Sequence, residues 1–134
     1  MGHGFVAYSP LGRGFLTGQF KSVEDLAADD SRRSSPRFQR DNFAKNLALV
    51  EHITRLAHQK AVTPGQLALA WVQSRGDDVV AIPGTKRRKY LEENVAATAI
   101  AFTAEELAQI DAIMPRDAAA GQRYAAAAMR SVDR

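Results

Sequence analysis

Two short apolar runs constrain this chain more than any other feature: residues 4–8 (GFVAY) and Val79–Ile82 (VVAI). The first is partly β-branched and aromatic and is closed by Ser9-Pro10; the second is apolar throughout and is stopped by Pro83-Gly84-Thr85. Both read as strands running into turns. The second has no polar alternation, which is the mark of a strand in a parallel sheet covered on both faces. Two strands of this kind do not make a stable sheet by themselves. The sequence therefore implies neighbouring strands that it does not itself supply.

Helical patterns fill the interval and the region beyond it. Phe43, Leu47, Val50 and Ala57, with Ile53 and Leu56 alongside, keep one apolar face and predict a helix over residues 42–58. Thr63-Pro64-Gly65-Gln66 combines an N-cap Thr, Pro at the first helical position and Gln at the third, the start of a capping box. The helix it opens, residues 67–73, is apolar nearly all round and is expected to be well buried. A further helix is expected over residues 87–97, and a second capping box, Thr103 with Glu106, opens one through Leu107, Ile110 and Met114 to Pro115. The Ala-rich tail, residues 118–129, fits either helix or loose chain. Residues 21–40 are polar and lack a clean period; a loop of that length is functional or disordered.

Two loops follow the two strands. Ser9 to Gly18 (SPLGRGFLTG) carries three glycines that let backbone N–H groups approach a ligand, with Arg13 to add a charge. A plain turn is the alternative. Tyr8 either caps the core or offers a flat stacking surface. In the second loop Gly84-Thr85 stands where an N-cap belongs, and Lys86, Arg87, Arg88 and Lys89 follow. Cations in a first helical turn each cost about 0.3–1 kcal/mol where exposed at low salt. Glu92 and Glu93 come later, the reverse of what stability favours. A bound anion resolves that conflict; a solvated basic face that tolerates the cost is the alternative.

Composition narrows the function classes. Of 134 residues, 46% are hydrophobic and 25% charged, the balance of one soluble globular domain. No apolar run approaches the roughly 20 residues needed to span a bilayer, and no signal peptide is read at the start. The sequence has no cysteine, which excludes disulfides and thiolate metal sites and fits a cytoplasmic location. A net charge of +3 is too small to imply a nucleic-acid partner. His52 and His58 fall six apart, the wrong spacing for a shared metal ligand. No metal site is expected.

FVAYSPLGRGFLTG followed by AIPGTKRRKYLEEN resembles the aldo-keto reductase family, in the branch with the Gly-Thr-Lys-Arg loop. The similarity runs from about Gly4 to the C-terminus, including PRFQRDNFAKN, the TPGQLALAWV helix and the closing GQRY. The resemblance implies an α/β fold, the (β/α)₈ barrel, for which roughly 250 residues is typical. The whole of 1–134 is then expected to be a C-terminal fragment of that domain, an incomplete and mostly helical piece. GFVAY resembles the seventh strand and VVAI the eighth, so the expectation is a chain beginning just before the seventh strand. Barrel enzymes commonly hold phosphate on the loops after those strands.

The implied cofactor is NADP(H). Tyr8 matches the family's aromatic that stacks on the nicotinamide. Ser9, Leu11, Gly12, Arg13 and Gly14 match the loop along the pyrophosphate. Gly84, Thr85, Lys86 and Arg87 match the segment around the adenosine 2′-phosphate. Glu93 and Asn94 match positions that hydrogen-bond the adenine, and Tyr90 falls where relatives often have Arg or Gln. Residues 21–40 resemble the segment that folds over the cofactor. The family's catalytic Asp, Tyr, Lys and His belong to earlier strands and match nothing here: Tyr8, Tyr90 and Tyr124 do not match the proton donor, nor His3, His52 and His58 the pocket His.

The resemblance thus implies an intact parent that reduces aldehydes or ketones with NADPH, and a chain that alone is inactive and exposes strand edges open to self-association. A nicotinamide-binding module without chemistry, or a half-barrel that pairs with another chain, is the second expectation. A nucleic-acid patch at Lys86–Lys89 is the third, and would show as salt-sensitive binding.

Overall fold

Strand β1 (Phe5–Tyr8) and strand β2 (Val79–Ile82) lie side by side and parallel in a computed structural model that describes residues 3–132. Their register pairs Phe5 with Val79 and Tyr8 with Ile82, so both strands end level with one another. The loops after them therefore leave from the same edge of the sheet. In an in-register parallel pair, alternate residues share a face. Val6, Tyr8, Val80 and Ile82 form one face and are between 50% and 58% exposed. The sequence implies neighbours for these strands that the chain does not supply, and this face is left open among the described residues. Helix α2 (Pro64–Gln73) packs on the other face of β2, where Val79 and Ala81 are half-buried, and no layer covers the first face among the described residues.

Helix α1 (Arg40–Gln59) buries Phe43, Asn46, Val50, Ile53 and Ala57, steps of three and four that keep one stripe on the core. It starts slightly earlier and ends slightly later than the pattern predicts. Helix α2 opens on the expected capping box: Gln66 N donates to Thr63 Oγ1 at 3.2 Å and Thr63 N donates to Gln66 Oε1 at 3.0 Å. Leu67, Leu69 and Ala70 are buried, as its nearly uniform apolarity requires. Helix α3 (Arg88–Ala96) and helix α4 (Ala104–Ile113) come next, the latter from the second capping box at Thr103 and Glu106. Lys60 Nζ lies 2.6 Å from Glu106 Oε1 and ties the end of α1 to α4.

The core has two parts. Phe15, Phe38 and Phe43 meet with ring centroids 4.8–6.3 Å apart, joined by Leu26 and Val50. Such tilted and edge-on pairs add to plain burial. Ile53, Ala57, Leu67 and Ile110 form the second part, between α1, α2 and α4.

Residues 21–40 have no α-helical period because they form only short 3₁₀ turns, at Val23–Asp25, Ser31–Ser34 and Pro36–Phe38. Leu26 and Phe38 pin them to the first core, each 2% exposed. Arg33 adds backbone contacts, donating from Nη2 to Leu26 O at 2.7 Å and from Nε to Ala27 O at 2.9 Å.

The Ala-rich tail is mostly irregular, with one short helix α5 (Ala126–Met129). Its first part is nonetheless strapped to α1. The buried Asn46 amide donates to Arg37 O and Ala120 O at 3.0 Å, and its Oδ1 accepts from Ala120 N at 2.7 Å. Gly121 passes so close that a Cβ there would sit 2.8 Å from Pro36 O, and its φ of +89° is one that L side chains avoid. Among the described residues no helix is long and apolar enough to cross a membrane.

Candidate functional site

Because β1 and β2 end level, the loops after Tyr8 and after Ile82 face each other across an open groove of about 790 Å³. From the first loop Ser9, Leu11, Arg13 and Gly14 line it; from the second come Gly84, Thr85, Lys86 and Arg87; Tyr90, Glu93 and Asn94 line it from α3. Of the residues that the resemblance matches to the cofactor, all reach this groove except Tyr8 and Gly12, which line a neighbouring cavity on the flank of β1; Arg88 and Lys89 of the basic run do not line it. Sequence reasoning did not single out Thr17, Gln19, Phe20, Arg32 and Gly65, which also line the groove.

The first loop turns tightly through left-handed backbone at Ser9, Gly12, Arg13 and Gly14. Gly14 is required: at φ +89° a Cβ would crowd the Phe20 ring at 3.2 Å and Arg32 Nη1 at 3.4 Å. Arg32 braces this turn, donating from Nη1 to Arg13 O at 2.9 Å while its guanidinium stacks 4.7 Å from the Phe20 centroid. Its remaining donors engage Asp30, and these hydrogen bonds hold the Asp30 carboxyl down to about 2. The Arg13 side chain points away from the second loop, donating to Ser35 Oγ at 2.9 Å.

The second loop departs from expectation at Thr85. The N-cap of α3 is Arg87, and the helix begins at Arg88. Thr85 Oγ1 instead accepts from Arg87 N at 3.3 Å, a local turn two residues long. Only Arg88 and Lys89 of the basic run thus lie inside the helix; Lys86 and Arg87 stand in the loop and face the groove. All four are exposed, and the first turn holds no acid. None of the four is in an ion pair among the described residues. Gly84 faces open space, where an added Cβ would meet nothing within 4 Å.

The N-terminus of α2 opens on the same groove. Glu93 Oε1 accepts from Thr63 Oγ1 at 2.7 Å, and Gln66 Nε2 donates to Glu93 O at 3.1 Å. Glu93 is therefore committed first to the start of α2, where a carboxylate complements the helix dipole. Tyr90 Oη accepts from Gln19 Nε2 at 3.3 Å, and the Arg87 guanidinium lies 6.0 Å from the Tyr90 ring centroid. Residues 21–40 send only Arg32 into the groove, while Val23, Leu26 and Phe38 pack on the first core.

Open space over Gly84, a glycine turn opposite and uncompensated cations at Lys86 and Arg87 together fit an elongated ligand carrying phosphate. The residues present thus fit the group that the resemblance implies.

A groove at the carboxyl ends of parallel strands is where α/β folds commonly place their ligand sites. The profile described as the Aldo/keto reductase family matches residues 1–115, and the chain belongs to that family. It is 48% identical over 119 residues to "Aldo-keto reductase yakc [NADP(+)]" of Schizosaccharomyces pombe, covering 89% of this chain and 35% of that protein. It is 46% identical over 125 residues to aldo-keto reductase str7 of Strobilurus tenacellus, covering 93% of this chain and 37% of the relative. Among solved structures, the glycerol dehydrogenase of Gluconobacter oxydans superposes with a TM-score of 0.73 at 31% identity, over 83% of this chain and 34% of that one. A thermostable aldo-keto reductase in complex with the inhibitor epalrestat gives 0.52 at 27% identity, over 81% of this chain and 28% of that one. These neighbours are (β/α)₈ barrels. The chain spans about a third of the length of the curated relatives it matches.

Proposed function

We propose that this chain is the C-terminal, NADP(H)-gripping part of an aldo-keto reductase barrel, with β1 as its seventh strand and β2 as its eighth. The observation that carries this reading is the single groove in which the Ser9–Gly14 turn faces Lys86 and Arg87. Lys86 and Arg87 hold the 2′-phosphate, and the backbone of the first turn lies along the pyrophosphate. Asn94 and Glu93 meet the adenine, Glu93 after giving up part of its contact with Thr63. Tyr8 at the end of β1 offers its ring to the nicotinamide. When bound, NADPH supplies hydride to an aldehyde or ketone. The family's Asp, Tyr, Lys and His match no residue here, so this chain grips the nucleotide and does not itself complete the reaction.

The exposed sheet face favours a second reading. Val6, Tyr8, Val80 and Ile82 present an apolar surface that a half-barrel buries against another chain or further strands. The grip on the nucleotide is common to both readings.

A charge-assisted hydrogen bond contributes about 1.5–3 kcal/mol. NADPH is therefore expected to bind at least about tenfold more tightly than NADH in calorimetry at moderate salt. Equal affinity for the two nucleotides would remove any role for the 2′-phosphate.

A further inference from the structure

The turn that follows β1 is held from outside by a side chain of the irregular segment. Left-handed backbone at Ser9 (φ 50°) and Arg13 (φ 59°) is disfavoured wherever a Cβ is present, and persists only where its surroundings fix it. Two hydrogen bonds inside the turn help, from Gly14 N to Leu11 O at 3.0 Å and from Leu16 N to Leu11 O at 3.2 Å. Among the described residues, the hydrogen bond that reaches the backbone of residues 11–14 from another part of the chain runs from Arg32 Nη1 to Arg13 O, at 2.9 Å. Arg32 thus grips a residue whose own conformation is costly.

Asp30 in turn fixes Arg32. Its carboxylate accepts from Arg32 Nε at 2.9 Å and from Nη2 at 2.6 Å, and also from Arg32 N at 2.9 Å. The two side chains are 27% and 19% exposed, and the Phe20 ring lies against the guanidinium. With its pKa held down to about 2, Asp30 stays ionised at neutral pH. Arg32 lines the groove and Asp30 does not. An Arg that merely attracts phosphate gains nothing from a carboxylate this close, which cancels its charge at longer range. The arrangement suits another task, a rigid fork with one side on Asp30 and the other on the turn. All of these contacts lie within residues 13–32, so none depends on strands outside the chain.

We propose that Arg32 and Asp30 are positioning residues of the nucleotide site. Asp30 locks the Arg32 guanidinium, and Arg32 holds residues 11–14 in shape before the nucleotide arrives. Less ordering is then left for binding to supply. This role rests on the nucleotide reading of the groove and concerns what sets its affinity. Lys86 and Arg87 select the 2′-phosphate by charge, whereas Asp30 and Arg32 act by shape on the segment along the pyrophosphate, which NADPH and NADH share.

Asp30→Asn separates the two kinds of action, because shape and charge predict opposite signs. Asn can still accept from Arg32 N, so the short turn Ser31–Ser34 keeps its cap. The readouts are calorimetry with NADPH and with NADH, and amide hydrogen exchange without nucleotide. The expected result is about tenfold weaker binding of both nucleotides, with the preference for NADPH unchanged. The amides of Gly14 and Leu16 should exchange about tenfold faster, while those in the middle of α1 keep their rates. Arg32→Lys keeps the charge without the fork and should behave like Asp30→Asn. Tighter NADPH binding by Asp30→Asn would overturn the proposal, since Arg32 would then act as a charge. Full affinity in Arg32→Lys, or unchanged exchange at Gly14 and Leu16, would do the same. If the unaltered chain binds neither nucleotide, the nucleotide reading falls and takes this role with it. Normal binding by the unaltered chain and by both variants overturns the role alone.

Discussion

Replacing Lys86 and Arg87 together with Gln is expected to lower NADPH affinity by about a hundredfold or more, to the level of NADH. The size comes from two charge-assisted contacts to one phosphate, each contributing about 1.5–3 kcal/mol. The substitution should be nearly silent for folding, because both side chains are exposed and outside any ion pair among the described residues. Arg88→Gln is the contrasting variant, since it acts inside α3 rather than in the loop. Affinity for NADH should change little in either variant. If the double variant keeps its preference for NADPH, the 2′-phosphate is held elsewhere.

The second large effect is expected at Asn46. Asn46→Ala removes the donors to Arg37 O and Ala120 O and the acceptor of Ala120 N, all in one buried position. Stranded buried polar groups cost about 1–3 kcal/mol each, and Ala's better helix propensity returns only a fraction. A net loss of about 2–4 kcal/mol is therefore expected in urea unfolding. The strap should loosen with it, exposing the segment after Ala120 to protease. Lys45→Ala, exposed and adjacent, is the control and should stay within about 0.5 kcal/mol. Equal stability of the two variants would mean that the strap contributes nothing.

The features legible in this sequence are those that depend on near neighbours. The capping boxes at Thr63 and Thr103 close within one turn of chain, so Gln66 and Glu106 disclose them without tertiary information. The α1 stripe is legible for the same reason, since periodicity is a local property. Thr85 looks like a third such cap, yet the chain leaving β2 stays extended at Arg87 (φ −120°, ψ 133°) and delays the helix. The delay matters for the site, because it leaves Lys86 and Arg87 in the loop beside the groove.

The groove itself is only half legible. Its two loops are marked by glycines and a basic run, but Arg32, Gln19 and Phe20 arrive by way of a segment with no period to read. Gly65 reads as part of a cap, and only the packing of α2 against α3 brings it to the ligand edge. The strap is similarly silent in sequence: Asn46 looks like one polar residue on a helix, and its partner Ala120 is far along the chain. VVAI carries no polar residue and so reads as a strand suited to burial on both faces, while one of those faces is open among the described residues.

If the loops after Tyr8 and Ile82 work as one nucleotide site, they must respond to the ligand together. Titrating the chain with NADP⁺ while following backbone amides tests this most directly. Leu11 to Gly14 and Gly84 to Arg87 are expected to shift together with a single dissociation constant. Shifts in one loop without the other, or in neither at saturating nucleotide, would contradict it.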